Sequence, residues 1–174
     1  MVSLSSQSKK LGEKMSNMQS WKQNVGSIID YAERIFPEVE IVTRSLSGEI
    51  VKSNYGQVAK RAKKLGSALE SYGIKHGQNV GSLALNTYRN MEMYYGISGM
   101  GAVMHTINFR LHPEQVVYII NHAENRIIFL ETVFAPLLEA IQANCPTVEQ
   151  YVLLCSKEEM PETQLKNAIS YEEF

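Results

Sequence analysis

The sequence predicts an α/β fold: a doubly wound, mostly parallel sheet with helices on both faces. Three observations carry that reading. Four short apolar runs, VGSLAL (Val80 to Leu85), AVMHT (Ala102 to Thr106), RIIFL (Arg126 to Leu130) and QYVLLC (Gln150 to Cys155), are bounded by turn residues, as buried strands are. Three segments of helical period separate them. Strand and helix in strict alternation imply right-handed crossovers, hence parallel pairing with both faces covered.

The elements follow in order. Val25 to Phe36 has apolar residues at 25, 28, 29, 32, 35 and 36, the pattern of a core-facing amphipathic helix, and Pro37 ends it. IVTRS and EIVKS flank Leu46-Ser47-Gly48 and predict a small β-hairpin near residues 40–53. Asn54 offers an N-cap with Gln57 at the third helical position. The helix that follows buries Val58, Ala59, Ala62, Leu65, Leu69 and Tyr72, leaves Lys60, Arg61, Lys63 and Lys64 mostly outside as a solvated face, with a weak partner surface as the alternative, and exits through Gly73. Asn86 caps the next helix, which runs through Met91, Tyr94, Tyr95 and Ile97 to Gly99 or Gly101. Pro113 opens a helix carrying Val116, Val117 and Ile120, and Phe134 to Ile141 forms the last. After Cys155, SKEEMPETQLKNAIS reads as a polar connector, and Tyr171 to Phe174 as the opening of a helix. The organisation expected is an N-terminal arm (1–24), an α/β unit (25–155) and a connector with an incomplete helix (156–174).

Composition narrows the function classes. A chain of 174 residues suffices for one core. A net charge of −1 creates no field to recruit nucleic acid. No run of about 18 apolar residues suggests a membrane span. The two cysteines, Cys145 and Cys155, match neither a disulfide framework nor a metal clip, so a cytoplasmic location is expected. The arm is rich in lysine and serine, and Leu11, Met15, Met18, Trp21 and Val25 recur at the spacing of one helix face. A mobile arm, a helix docked on its own domain or on a partner subunit, and an import helix are the alternatives for it.

Few residues offer chemistry. Gly96, Gly99 and Gly101 follow a helix and precede a strand, the reverse of the order a phosphate loop needs, so helix exit and close packing explain them. Ser98 sits on a helix without the spacing of a nucleophile elbow. The histidines at 76, 105, 112 and 122 lack HExxH or Cys-His company. His105 follows a strand, at the sheet end where α/β folds place ligands, which leaves a functional and a structural reading open. His112 stands at an N-cap position, and His122 near a helix C-terminus complements the dipole. Asn108 and Arg110 are the polar residues of the loop before Pro113, read as fixing the sheet edge, with substrate contact as the alternative.

Two phrases, GMGAVMHTINFRL (Gly99 to Leu111) and YIINHAENRIIFLE (Tyr118 to Glu131), closely resemble the N-terminal subdomain of AMP-forming acyl-CoA synthetases, the fatty-acyl group of the adenylate-forming superfamily. The resemblance runs from about Val25 through Val152. An Asn and Arg pair stands in that family where Asn108 and Arg110 stand here, whereas His112 replaces a small hydroxyl residue. It implies a two-step ligase using ATP, Mg2+ and coenzyme A: a carboxylate attacks the α-phosphate, pyrophosphate leaves, and the thiol displaces AMP. The family's Ser/Thr/Gly-rich loop closing in Pro-Lys-Gly, its adenine and ribose motifs and its C-terminal lysine have no counterpart here. No catalytic, cofactor-binding or metal-binding residue is therefore carried over, and no cofactor is expected on this chain alone. The expected partners are the downstream subdomains, with a homodimer through the N-terminal segment as a further expectation. Two functions stand: the N-terminal portion of a medium- or long-chain fatty-acyl-CoA synthetase, or a standalone non-catalytic α/β binding module. An aryl-acid ligase is the runner-up within the superfamily.

Overall fold

The computed structural model describes residues 24–46 and 48–174. The anticipated N-terminal arm and its apolar stripe thus lie almost wholly outside the described residues. Helix α1 spans Val25–Ile35, capped by Asn24, whose Oδ1 accepts a hydrogen bond from the Ser27 amide at 2.8 Å. Strands β1 (Glu40–Arg44) and β2 (Ile50–Asn54) pair antiparallel as the expected hairpin. Helix α2 (Tyr55–Tyr72) starts on Asn54, whose side chain accepts from Gln57 N, and ends at Gly73 in the left-handed conformation. Then come β3 (Asn79–Leu83), α3 (Tyr88–Gly99), β4 (Val103–Thr106), α4 (Pro113–His122), β5 (Ile127–Leu130), α5 (Ala135–Ile141), β6 (Gln150–Leu153) and β7 (Ala168–Ser170).

The main sheet has the order β4-β3-β5-β6-β7, and every neighbouring pair is parallel. The order explains the layers. The chain steps outward from β3 to β4, then returns past β3 to β5. Right-handed crossovers that reverse direction must change face, so α3 and α4 lie on opposite sides of the sheet. Strand β5 shows the consequence. Ile127 and Phe129 join Leu65, Leu69, Met93 and Ile97 of α2 and α3 in one core cluster. Ile128 and Leu130 join Val116, Ile120, Leu138 and Ile141 of α4 and α5 in the other. All four strand residues have no exposure. Each such large apolar side chain stabilises the fold by about 1.5–3 kcal/mol relative to exposure. Among the described residues no helix is long and apolar enough to cross a membrane.

Two expectations need correction. The segment after Cys155 is not only a connector: Ala168–Ser170 adds a fifth strand, parallel to β6. Three residues are too short to show a period, and what makes them a strand is the open edge of β6. Tyr171 to Glu173 then form a turn in which Phe174 N donates to Ser170 O at 3.1 Å. The cap of α3 is Thr87 rather than Asn86; its Oγ1 accepts from Asn90 N at 3.4 Å.

The glycine reading holds at Gly96 and Gly101 but not at Gly99, where a Cβ would meet nothing within 4 Å. A Cβ on Gly96 would stand 2.7 Å from the Ala62 carbonyl oxygen, so α2 and α3 cross backbone on backbone. Gly101 has φ +88 and lies against the His76 ring, where a Cβ would come within 2.4 Å. We expect Gly96→Ala to destabilise the chain by about 1–3 kcal/mol through overpacking against backbone. Gly99→Ala, where a Cβ meets nothing within 4 Å, should leave stability unchanged or raised. Urea unfolding midpoints at constant slope measure both, and equal midpoints for the two variants would refute the crossing as described.

Candidate functional site

Strands β3 and β5 are neighbours whose connections leave toward opposite faces, so their carboxyl ends frame a crevice, the place where open α/β sheets bind ligands. A cleft of about 270 Å³ lies there. Thr87 and Arg89 line it from the start of α3, Glu131 and Thr132 from the end of β5, and Leu154 from the end of β6; Thr43 and Glu49 of the hairpin segment close the far wall. Glu131 is anchored by its backbone, its amide donating to Leu83 O at 3.0 Å. Its side chain is buried, and among the described residues Oε1 has no hydrogen-bond partner. Burial raises its carboxyl above the ordinary glutamate value; the Leu85 amide, the Arg89 charge and the Thr87 hydroxyl pull it back in part.

Behind the cleft lies a charged network that knits the carboxyl ends together. Glu92 of α3 has no exposure. Its Oε1 accepts from Arg61 Nε at 2.7 Å and its Oε2 from the Tyr171 hydroxyl at 3.0 Å. Arg61 turns its other two nitrogens to Glu172, at 2.9 and 2.8 Å. Arg89 donates to the same Glu172 carboxylate at 3.3 and 3.2 Å and to Leu154 O at 3.0 Å. Burial pushes the Glu92 carboxyl up, against the pull of Arg61 and Tyr171. Burial also raises the Tyr171 phenol. Burial would raise Glu172 too, but the hydrogen bonds and charges of Arg61 and Arg89 outweigh it and hold this carboxyl below its ordinary value.

None of these residues was legible as a site. Arg61 falls among lysines on a face read as solvated, yet it is only partly exposed, while Lys60, Lys63 and Lys64 are exposed as anticipated. Glu92 sits between Met91 and Met93, and an acid at a core position of an amphipathic helix was the signal that could have found it.

The residues singled out in advance lie elsewhere. His105, the third residue of β4, is partly buried, and its Nδ1 meets Asn125 Oδ1 at 2.7 Å, ahead of the amino end of β5. Asn108 Oδ1 accepts from the Arg110 amide at 3.0 Å, a local turn, and the Arg110 guanidinium stands 5.6 Å over the Phe109 ring. Phe109 in turn stacks on Phe134 at 5.0 Å. Asn108 and Arg110 belong to the loop after β4, His105 ties β4 to the turn before β5, and none of the three lines the cleft. His112 is the N-cap residue of α4, its amide donating to Gln115 Oε1 at 3.1 Å, and His122 ends that helix stacked on Tyr118.

Chemically, the cleft offers a buried carboxylate, an engaged guanidinium and hydroxyls. Among the described residues no three His, Cys, Asp or Glu side chains come together in a way that could hold a metal ion.

Comparison with known proteins places this architecture. Residues 31–173 match the family model described as AMP-binding enzyme. The chain is 42% identical over 150 residues to a 3-methylmercaptopropionyl-CoA ligase of Ruegeria pomeroyi, covering 86% of this chain and 28% of that protein. It is 37% identical, with the same coverage, to a medium-chain-fatty-acid–CoA ligase of Ectopseudomonas oleovorans. The chain thus spans about 28% of the length of these curated relatives. Among solved structures, an anthranilate CoA ligase in complex with anthranoyl-AMP superposes with a TM-score of 0.69 at 26% identity, over 76% of this chain and 25% of that one. An acetoacetyl-CoA synthetase from Streptomyces lividans shares the fold, with a TM-score of 0.73 at 11% identity over 86% of this chain and 24% of that one.

We expect Arg61→Met to cost about 3 kcal/mol, because it leaves the Glu92 carboxylate buried without its counter-charge. A urea midpoint shift worth less than about 0.5 kcal/mol would show that Glu92 does not depend on Arg61. The two glutamates have opposite pH signs. Glu172, with a depressed folded value, contributes stability above its unfolded value of about 4.5 and loses it as the pH falls through the folded value. Glu92, with a raised one, contributes fully below about 4.5 and loses that contribution as the pH rises through its folded value. In urea midpoints measured from pH 3 to 8, roughly the span of both transitions, Glu172→Gln should flatten the acid side. An unchanged acid limb would remove Glu172 from the account.

Proposed function

The chain belongs to the AMP-binding enzyme family, and from that premise we propose that it is the N-terminal portion of an AMP-forming fatty-acyl-CoA ligase, working in the cytoplasm with downstream subdomains. The observation that supports this reading is the family match over residues 31–173 together with 42% identity to a CoA ligase. The reaction proposed for the whole assembly is attack of a fatty carboxylate on the α-phosphate of ATP, then displacement of AMP by the coenzyme A thiol. Magnesium and preorganised donors stabilise the charge on the transferring phosphoryl group in such chemistry. The part proposed for this chain is the platform: a rigid sheet whose carboxyl ends, locked by Arg61, Arg89 and Glu172, present a crevice. A medium or long acyl chain is the substrate class proposed, by likeness to the Ectopseudomonas oleovorans ligase and to a long-chain-fatty-acid–CoA ligase of Thermus thermophilus, 36% identical over 150 residues.

Two measurements test this. The purified 174-residue chain should give no ATP–pyrophosphate exchange with any fatty acid, and detectable exchange would overturn the platform role. Reading the coding DNA past the Phe174 codon in three frames should reveal a Ser/Thr/Gly-rich loop ending in Pro-Lys-Gly; a stop with no such sequence nearby would leave the ligase proposal without its catalytic half. When the whole protein is assayed, medium and long fatty acids should have higher kcat/KM than 3-methylmercaptopropionate or aromatic acids. The reverse order would replace the fatty-acyl assignment.

A further inference from the structure

The charge of the cleft at the ends of β3 and β5 sets its ligand apart from phosphates and carboxylates. Four charged side chains among the described residues line it: Glu49, Glu131, Glu159 and Arg89. Arg89 spends its guanidinium on the Glu172 carboxylate and the Leu154 carbonyl. Glu159 accepts from the Ser156 amide at 3.1 Å, and both it and Glu49 are exposed. Glu131 is only 6% exposed. The Leu85 amide and the Thr87 hydroxyl serve its carboxylate, yet Oε1 has no partner among the described residues. Burial strips water from that oxygen without supplying a donor, an arrangement that folded proteins rarely leave standing.

We propose that this cleft binds a small organic cation, an alkylguanidinium or alkylammonium group that donates to Glu131 Oε1. The sign of the charge follows from three carboxylates facing one guanidinium that is already engaged. An anion would meet repulsion from the acids and no free base. A metal ion lacks ligands, since no three donor side chains of the described residues converge. A guanidinium is weakly hydrated and needs only one carboxylate for a charge-assisted hydrogen bond. The walls suit its stem and its remaining donors: Val51 and Leu154 are apolar, Tyr88 offers an aromatic ring, and Thr132 a hydroxyl. A volume of about 270 Å³ lies below the roughly 300–1,000 Å³ of pockets for drug-sized ligands, which fits a short alkyl chain with its head group. The inference goes beyond the ligase reading and does not rest on it.

The test titrates the isotope-labelled 174-residue chain with n-butylguanidinium, following backbone amides by NMR. Its neutral isostere n-butylurea and pyrophosphate serve as comparators. We expect saturable shifts at the Thr87, Glu131 and Thr132 amides with butylguanidinium, binding about tenfold weaker with butylurea, and no shift there with pyrophosphate. Glu131→Gln should weaken butylguanidinium by about tenfold while circular dichroism shows the fold retained. Should that variant not fold, the double variant Glu49→Gln/Glu159→Gln, at two exposed positions, should weaken it by about two- to threefold at low salt and by less as salt rises. The proposal is overturned if no saturable shift occurs at those amides, or if butylurea or pyrophosphate binds there as tightly. Unchanged affinity in folded Glu131→Gln, or in the double variant where Glu131→Gln does not fold, overturns it too. None of these results bears on the ligase reading, which the coding DNA past Phe174 tests separately.

Discussion

The carboxylate of Glu92 is the constraint around which one side of this molecule is arranged. An acid with no exposure cannot be left alone in a protein interior, because an uncompensated buried charge costs several kcal/mol. Its partners must come from other elements: Arg61 from α2, 31 residues away in sequence, and Tyr171 from the turn after β7, 79 residues away. Meeting that requirement docks α2 on α3 and brings the last residues of the chain onto the same spot. Arg61 and Arg89 then share Glu172, and Arg89 also closes on the Leu154 carbonyl at the end of β6. Such a network contributes little net stability against well-packed apolar residues of the same volume, but it is intolerant of losing one member. Its structural product is a fixed spatial relation between helices and strand ends.

That relation is what the crevice needs. Ligand sites of open α/β sheets form where the connections of two neighbouring strands diverge, and here these are β3 and β5. Thr87 and Arg89 are placed by the cap and first turn of α3, Glu131 by the end of β5, and the far wall by the hairpin. The apolar clusters on the two sheet faces hold the strands; the arginine network holds what emerges from them. Among the described residues of the cleft, Glu131 has one buried carboxylate oxygen without a partner.

Much of this fold was legible from residues alone. The Asn54 cap, the Gly73 exit, the hairpin and the four apolar strands are short-range features, each written in a handful of adjacent side chains, and all are observed. The glycines at 96 and 101 were read as packing and exit residues, and the Ala62 carbonyl and the His76 ring are what they pack against. The fifth strand was not legible, since Ala168 to Ser170 acquire their conformation from β6. The site was not legible either. His105, Asn108 and Arg110 stood out by residue type and position, yet His105 bonds Asn125 and Asn108 bonds the Arg110 amide, away from the cleft, while Arg61, Arg89 and Glu172 looked like ordinary surface charges.

The sequence by itself determined the class of fold, the alternation of elements and the family to which the chain belongs, because periodicity, caps and phrase identity are local properties. Tertiary structure decided the strand order, the face on which each helix lies and the pairing of the buried charges. Those depend on which residues, distant along the chain, meet across the sheet, and a charged residue does not reveal from its own neighbours whether it ends in water or against its counter-ion.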